Sequence, residues 1–394
     1  MNGENQSMDE MIRTETTMEA ESTRLDGAEE MLPDEVAEEN PEETGAESMT
    51  GPVPAKENRS ATYDVIRILS TLCVMMIHTV VKPFESNFLL TNVMMTFLFL
   101  ANTFFYMLSG RFNLVKTFDT PADYGKFYKK KIITILLPYI VVSMLLSVFN
   151  MMMQGAEIRP KSYLLFAYWE LMETNIGLHL WFMYPLMGFL LSTPFFAKLF
   201  HAMSDAELHI MFAVAIFWNV ASINLTKNIG ANFAYSGWML TGFAFTYVNG
   251  YLCYRLINDK NRKILYLIGL VSFAITIYGK TWRAANFENS LDLSVFFIAF
   301  SMAAFVFLER HIKIRNASVA KVISFIAQHT FLMYMIHWTM ERYFVVDWVI
   351  TDSPTLAFLG VAGLTFVVTL GIAIVLRLIL IKPLQWVFGK LLRA

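Results

Sequence analysis

Long apolar runs, separated by short polar connections, fill the chain from residue 59 onward. An α-helix needs about 20 residues to cross the hydrocarbon core of a bilayer, and ten runs approach that length. They fall at residues 63–81, 93–115, 131–153, 179–200, 208–225, 235–256, 263–279, 290–309, 320–339 and 356–381. Together with a mean hydropathy of +0.46, the pattern predicts an all-α, polytopic helical membrane protein with about ten transmembrane helices.

The first 58 residues have a different composition from the rest. They contain 17 Asp and Glu, 3 Lys and Arg and no aromatic residue, whereas residues 59–394 carry 16 acidic and 28 basic side chains. Such a polar segment cannot bury enough apolar surface to offset the entropy lost on ordering. The sequence therefore predicts a disordered acidic cytoplasmic tail at 1–58 and a transmembrane domain at 59–394.

The Lys and Arg residues of the connections predict how the spans are oriented, because cytoplasmic connections carry an excess of them. With the N-terminus inside, the inner segments hold 19 such residues and the outer segments hold 7. Both termini are therefore predicted to be cytoplasmic. The first span then begins near the cytoplasm with Asp64 and Arg67 and ends near the outer face with His78.

Those three ionisable residues make the first span the leading functional candidate, because charged groups inside a bilayer are costly. Arg67 and His78 are eleven residues apart, so they lie within roughly 20° of each other around the helix and about 16 Å apart along its axis. Asp64 is three residues before Arg67 and can pair with it. The span is predicted to carry an ion pair near one membrane face and an imidazole near the other.

Two further histidines are predicted to reach the level of His78. His179 opens the fourth span together with Trp181, and His337 ends the ninth span three residues after Tyr334. Trp is also common in the aromatic belts of membrane proteins, and each histidine alone fits a hydrogen-bonded core residue. Together they predict a polar outer cavity. No two histidines have the short helical spacing of a zinc site, so no metal is predicted.

A basic cluster is predicted at the opposite, cytoplasmic end. The second span ends with Ser109 and Arg111, and the next connection closes with Lys129, Lys130 and Lys131. This charge has two interpretations: the ordinary excess on cytoplasmic connections, or a site for the phosphate groups of a nucleotide-bearing donor. Arg suits phosphate through its forked geometry, and Lys acts as a point charge.

These motifs together resemble the membrane-bound acyltransferase family 3, and within it the polysaccharide O-acetyltransferase branch. The family's signature, an Arg followed eleven residues later by a His, matches Arg67 and His78. The other similar stretches are Arg59 with Asp64 and Arg67, residues 104–110, 129–139 and 179–182, Gly250 with Tyr251, and Tyr334 with His337. The sequence departs from the family at its usual Arg-x-x-Arg pair, where Lys131 and Thr134 stand.

The resemblance implies an enzyme that transfers groups other than amino-acyl groups, of the O-acetyltransferase type, so 59–394 would be a transmembrane acyltransferase domain. It implies acyl-CoA, in the form of acetyl-CoA, as a co-substrate, with no permanently bound cofactor. The implied acceptor is a hydroxyl of a cell-surface glycan or glycolipid. The implied location is the bacterial plasma membrane, with membrane lipid and no nucleic acid as partners; protein partners are left open.

The resemblance also suggests a role for each candidate residue. His78 is expected to act as the catalytic base or to carry the acyl group itself, and Arg67 to orient the donor or to pair with Asp64 as a structural partner. The other candidates fall into two sets. Donor binding is expected from Ser109, Arg111, Lys129, Lys130 and Lys131, and acceptor binding from His179, Trp181, Tyr334 and His337.

Two other functions fit parts of the same pattern. A proton-coupled membrane transporter would also need many spans, a buried charged pair and an outer cavity lined by histidines. A membrane receptor or scaffold would use the acidic tail to bind a partner, which does not explain the charges inside the spans. Consumption of a thioester distinguishes the acyltransferase from both.

Overall fold

The computed structural model describes residues 61–79, 83, 86–153, 155, 179–225, 240–282 and 294–392. It is 87% helix, and no strand occurs within these residues, so the predicted all-α class is confirmed. Backbone contacts divide the chain into the units Met1–Lys56 and Glu57–Ala394, and every described residue belongs to the second. The predicted tail at 1–58 lies outside the described residues, and its disorder stays a prediction.

Helices follow one another along the described chain, some of them continued by π-helical turns. In chain order they are α1 Ala61–His78, α2 Phe88–Asn113, α3 Pro121–Lys131, α4 Leu137–Met153, α5 Met183–Ala202, α6 Asp205–Asn219, α7 Gly242–Leu256, α8 Arg262–Trp282, α9 Val295–His311, α10 Ala317–Ala327, α11 Thr330–Met340, α12 Val346–Trp348, α13 Pro354–Leu376 and α14 Lys382–Leu391. The π turns lie at Ile132–Leu136, Val220–Leu225, Glu341–Val345 and Arg377–Ile381, and a 3-10 turn at Leu180–Phe182 precedes α5.

Seven helical segments in the described chain are long and apolar enough to cross a membrane, and α10 with Thr330–Trp348 makes an eighth if the two count as one span. That pair is bent by 54°. The other two predicted spans correspond to α7 and α9, which have 15 and 17 residues. The presence of membrane-spanning helices is confirmed, whereas the number ten and the cytoplasmic termini stay predictions.

Helix α1 is enclosed by other helices, because α2, α10, α11 and α13 all pack against it. Its buried positions include Asp64, Ile66, Ser70 and Met75. The hydroxyl of Ser70 donates to the carbonyl of Ile66 at 2.8 Å, which meets its hydrogen-bonding need within the helix. The first helix therefore carries Asp64 into the protein interior rather than towards lipid.

Helices α2 and α7 are in backbone contact at two glycines. A Cβ atom added to Gly110 would lie 1.8 Å from the carbonyl oxygen of Tyr247, and one added to Gly250 would lie 1.9 Å from that of Met107. Real Cβ atoms do not approach backbone this closely, so only glycine fits either position without moving the helices apart. The two glycines thus fix α2 against α7.

Candidate functional site

Three histidine rings from separate parts of the chain meet at the end of α1. The centroid of the His78 ring lies 5.3 Å from that of His337 and 6.4 Å from that of His179. The rings of His179 and His337 are 5.0 Å apart. We call His78, His179 and His337 the histidine cluster.

Backbone carbonyls fix the orientation of two of these rings. His179 Nε2 is 2.9 Å from the carbonyl oxygen of Met335, and His337 Nδ1 is 2.5 Å from that of Tyr334. Because a carbonyl only accepts hydrogen bonds, we assign the proton of each neutral ring to these nitrogens. The opposite nitrogens, His179 Nδ1 and His337 Nε2, then carry lone pairs. Within the described residues these two atoms have no hydrogen-bond partner, although the residues are only 3% and 0% exposed.

The surroundings of His179 hold it firmly against α11. The hydroxyl of Tyr334 donates to the carbonyl oxygen of His179. The Trp338 ring stacks on the His179 ring at 5.8 Å with an interplanar angle of 20°. Trp181, which the sequence places beside His179, is half-buried and contacts the ring of Phe243 at 5.2 Å. Its packing is therefore aromatic on at least one side.

The predicted ion pair is present in the part of α1 that precedes the histidine cluster. Arg67 Nη1 donates to Asp64 Oδ1 at 3.0 Å, and the Asp64 side chain is almost fully buried. The Ser324 hydroxyl, on α10, donates to the second oxygen of Asp64 at 2.6 Å. The carboxylate therefore joins two helices and also positions the half-buried guanidinium of Arg67.

A cavity of about 220 Å³ has both Arg67 and Tyr334 in its lining. It therefore lies between the ion pair and the residues that hold the histidine cluster. The other lining residues are mostly apolar: Phe105, Thr134, Ile135, Phe182, Met183, Leu186, Thr330 and Phe331. Thr134, in the π turn Ile132–Leu136, stands where the resembling family usually has its second arginine. The cavity is therefore lined by a neutral threonine at the position where the family usually has an arginine.

Two lysines lie over one aromatic ring, Phe127, in the second half of α3. The Lys116 and Lys131 ammonium groups each lie 5.2 Å from the centroid of the Phe127 ring. Lys116 also donates to Asn113 Oδ1 at 3.0 Å. Burial, and then the neighbouring charge of Lys130, lower the pKa of Lys116 to about 8. These like charges lie close together, which is the arrangement that an anion would stabilise.

Lys116 was missed by the sequence analysis, which counted it only as cytoplasmic charge. The lysine motif at 129–131 was the signal near it, but twelve residues, eight of them in α3, separate Lys116 from Lys129 in sequence. Lys129 is half-buried and Lys130 exposed in the structure. We call Lys116, Lys130 and Lys131, whose charges interact with one another, the lysine cluster.

Arg111 lies in a different setting from the one expected for it. It is 2% exposed, and its guanidinium stands 3.5 Å above the Tyr254 ring and 5.7 Å from the Tyr63 ring. The Tyr63 hydroxyl in turn donates to Glu309. A guanidinium enclosed among aromatic rings would have to leave them to reach a phosphate group. The structure therefore favours a role for Arg111 in packing α2 against α7, not in binding the donor directly.

Ser109 supports the lysine cluster from one turn earlier. The side-chain amide of Asn113 donates to the backbone oxygen of Ser109 at 2.7 Å and lies 3.2 Å from its hydroxyl. This leaves the carbonyl oxygen of Asn113 facing Lys116. Ser109 thus contributes to the position of Lys116 through Asn113.

A metal centre finds no support in the described part of the chain. No group of three or more His, Cys, Asp or Glu side chains is placed there to hold an ion. The three imidazoles of the histidine cluster lie close together without forming such a group. Their arrangement is better suited to accepting protons or hydrogen bonds.

Comparison with known proteins gives this membrane protein its class. The model of acyltransferase family 3, described as an acyltransferase domain, matches residues 61–378. The match covers most of the chain and every helix that forms the site. The protein therefore belongs to the acyltransferase family 3. Comparisons with curated proteins and with solved structures gave no significant match.

Proposed function

We propose that the protein transfers an acetyl group from acetyl-CoA to a hydroxyl of a cell-surface glycan or glycolipid, in the plasma membrane of a bacterium. The observation that carries the proposal is the cavity lined by both Arg67 and Tyr334. It places a cationic side chain and Tyr334, whose hydroxyl donates to the backbone of His179, in the wall of one mostly apolar cavity. A narrow, uncharged arm such as pantetheine, ending in a thioester, fits this combination of shape and polarity.

The charged head of the donor would remain at the lysine cluster. Each charge placed in the hydrocarbon costs several kcal/mol, so the phosphates of CoA cannot follow the arm inward. Lys116, Lys130 and Lys131 supply cations whose mutual repulsion phosphate groups would relieve. Lys129 is close in sequence and completes the proposed donor site.

The chemistry proposed at the histidine cluster is acyl transfer with a histidine as base or carrier. In the direct route, the acceptor oxygen attacks the thioester carbonyl, its proton passes to a neutral imidazole nitrogen of His78, and the carbon–sulfur bond breaks to release CoA thiolate. In the covalent route, His78 attacks the thioester carbonyl and the carbon–sulfur bond breaks to release CoA thiolate. The acceptor hydroxyl then attacks the acyl carbon, the bond from this carbon to His78 breaks, and the hydroxyl proton passes to the released imidazole. Arg67 orients the donor in both routes. The acceptor is bound by the remaining residues of the proposed site, His179, Trp181, Tyr334 and His337.

Release of CoA thiol from acetyl-CoA tests the proposal. Purified protein in lipid nanodiscs, supplied with the surface glycan fraction of its source cells, should release thiol and form acetyl esters on the glycan. His78→Ala should lower the rate by about 10²–10⁴-fold, because a general base contributes that much. His311→Ala, which removes an exposed histidine bonded to its own helix, is the matched control. A wild-type protein that moves a solute across vesicles without consuming thioester would instead identify a transporter.

A further inference from the structure

A row of polar side chains runs along the buried side of α4, outside the residues assigned so far. Tyr139, Ser143, Ser147 and Asn150 follow one another at spacings of 4, 4 and 3 residues. This spacing keeps them within about 80° of one another around the helix and spreads them over about 16 Å. The first three are 3%, 0% and 2% exposed. We call these four residues the α4 stripe.

The polar atoms of the α4 stripe lack hydrogen bonds of normal geometry. The hydroxyls of Tyr139, Ser143 and Ser147 and the side-chain oxygen of Asn150 are buried, and none has such a partner within the described residues. The Tyr139 hydroxyl does interact with those of Ser143 and Tyr184, although neither contact has normal hydrogen-bond geometry. Buried polar groups are nearly always bonded in native proteins, so a row of exceptions requires an explanation.

Several other buried Ser and Thr hydroxyls on the helices behave differently. They donate to the carbonyl oxygen four residues earlier, which satisfies them locally. Examples are Ser70, Thr71, Thr96, Thr246, Thr276, Ser301 and Thr369. The hydroxyls of Ser143 and Ser147 have the same backbone carbonyls within reach and do not use them. The hydroxyls of Ser143 and Ser147 therefore point away from the backbone of α4 and into the protein interior.

The α4 stripe begins next to the histidine cluster. Tyr139 interacts electrostatically with Tyr334, whose hydroxyl is bonded to His179. Helix α11 packs against α4, and further along, the Phe149 ring contacts the Tyr343 ring at 6.0 Å. Helix α11 contributes two more buried acceptors or donors without partners in the described chain, the Nε2 atom of His337 and the hydroxyl of Thr339. Two packed helices thus both carry unmet polar atoms.

We propose that the α4 stripe, with His337 and Thr339, forms the groove that binds the acceptor, and that this acceptor is an uncharged, polyhydroxylated sugar. The inference rests on the proposed acyl transfer and names the chemistry of its second substrate. Sugar hydroxyls both donate and accept, as the Tyr and Ser hydroxyls do, and the lone pair of His337 needs a donor. The stripe contains no cation or anion, so it offers no charge to pair with an ionised sugar.

A double variant, Ser143→Ala with Ser147→Ala, isolates the groove from the catalytic reaction. We expect three results. Slow acceptor-free release of thiol from acetyl-CoA by the purified protein stays at the wild-type rate, because the donor does not use these hydroxyls. The thermal midpoint is unchanged or higher, because buried unmet hydroxyls are removed. The acetyl ester content of the surface glycan, measured by mass in source cells that carry the variant, falls at least about tenfold, because a site built for hydroxyls discriminates through them.

The matched control is Ser70→Ala with Ser301→Ala, which removes two buried hydroxyls that are bonded within their own helices. It should keep the wild-type ester content. Wild-type ester content in the Ser143 and Ser147 variant overturns the groove and leaves the proposed acyl transfer intact. Loss of thiol release together with a lower midpoint would show a structural stripe and also overturn it. Failure of the wild-type protein to release thiol would instead overturn the proposed function itself.

Discussion

Ser324 on α10 donates a 2.6 Å hydrogen bond to the buried carboxylate of Asp64 on α1, across 260 positions of sequence. The same carboxylate holds Arg67, so one side chain links the position of this arginine to the packing of a distant helix. Hydrogen bonds to charged groups contribute about 1.5–3 kcal/mol. We therefore expect Ser324→Ala to lower the thermal midpoint.

Arg67→Lys should have the opposite profile. It keeps the charge next to Asp64 but loses the forked geometry, so acetyl transfer should fall while the thermal midpoint changes little. Thiol release and thermal melting, measured on both variants, separate the two roles. If Asp64→Asn combined with Arg67→Gln regained full activity, Arg67 would serve only to neutralise Asp64.

The depressed pKa of Lys116 predicts a pH dependence for donor binding. Its ammonium loses its proton near pH 8, so the KM for acetyl-CoA should rise between pH 7 and pH 9 as the charge facing the phosphates disappears. Lys116→Arg keeps this charge fixed across the whole range, which should flatten the profile. Lys126→Arg, at an exposed lysine paired with Asp123, is the matched control. An unchanged profile in Lys116→Arg would assign the effect to another group.

The lowered pKa of Lys116 also predicts how the free energy of unfolding changes with pH. Because the pKa of Lys116 is lower in the folded protein than its usual value of about 10.4, the unfolded chain binds more protons between pH 8 and that value. The free energy of unfolding should therefore rise with pH across this interval. Thermal midpoints at pH 7.5 and 9.5 test this, and the rise should be smaller in Lys116→Gln, which lacks the titrating group.

Gly110→Ala should be strongly destabilising. Its Cβ would meet the carbonyl oxygen of Tyr247 at 1.8 Å, and a backbone atom cannot rotate away. Overpacking of this kind costs about 1–3 kcal/mol or more. Gly363→Ala and Gly371→Ala on α13 are matched controls, because nothing lies within 4 Å of the added atom. Equal thermal midpoints for all three variants would contradict the close contact.

Membrane orientation can be tested independently of activity. The excess of Lys and Arg in the inner connections predicts that a cysteine at Asn87 is labelled by a membrane-impermeant reagent from outside, whereas one at Asp123 is not. The native Cys73 is half-buried and Cys253 buried, which keeps the background low. The opposite labelling pattern would reverse the orientation and place the donor site on the wrong side of the membrane.

The sequence predicted those features that depend on helix periodicity and depth. Eleven helical steps put Arg67 and His78 on one side of α1, and the order of the apolar runs put His179 and His337 at the level of His78. The structure brings these three histidines together. The helical class and the family were confirmed, because composition and motif spacing determine both directly.

Features that depend on which neighbour a side chain meets could not be predicted in this way. Arg111 stands at the end of an apolar run next to basic residues, and only the packing of α2 against α7 directs it into the Tyr254 ring. The joining of Lys116 to Lys131 depends on how the connection folds back around Phe127. The α4 stripe is visible as spacing in the sequence, but its unmet hydroxyls emerge only from the three-dimensional contacts.

The bend between α10 and α11 gives the cavity an electric polarity. The break creates two helix ends: a partly negative one at the surface, where Arg377 donates to the carbonyl oxygen of Gln328 at 3.4 Å, and a partly positive one at Thr330, which lines the cavity. A partly positive helix end favours carbonyl oxygens that point towards it. The amide groups of a neutral arm in the cavity would therefore be aligned by the field at Thr330.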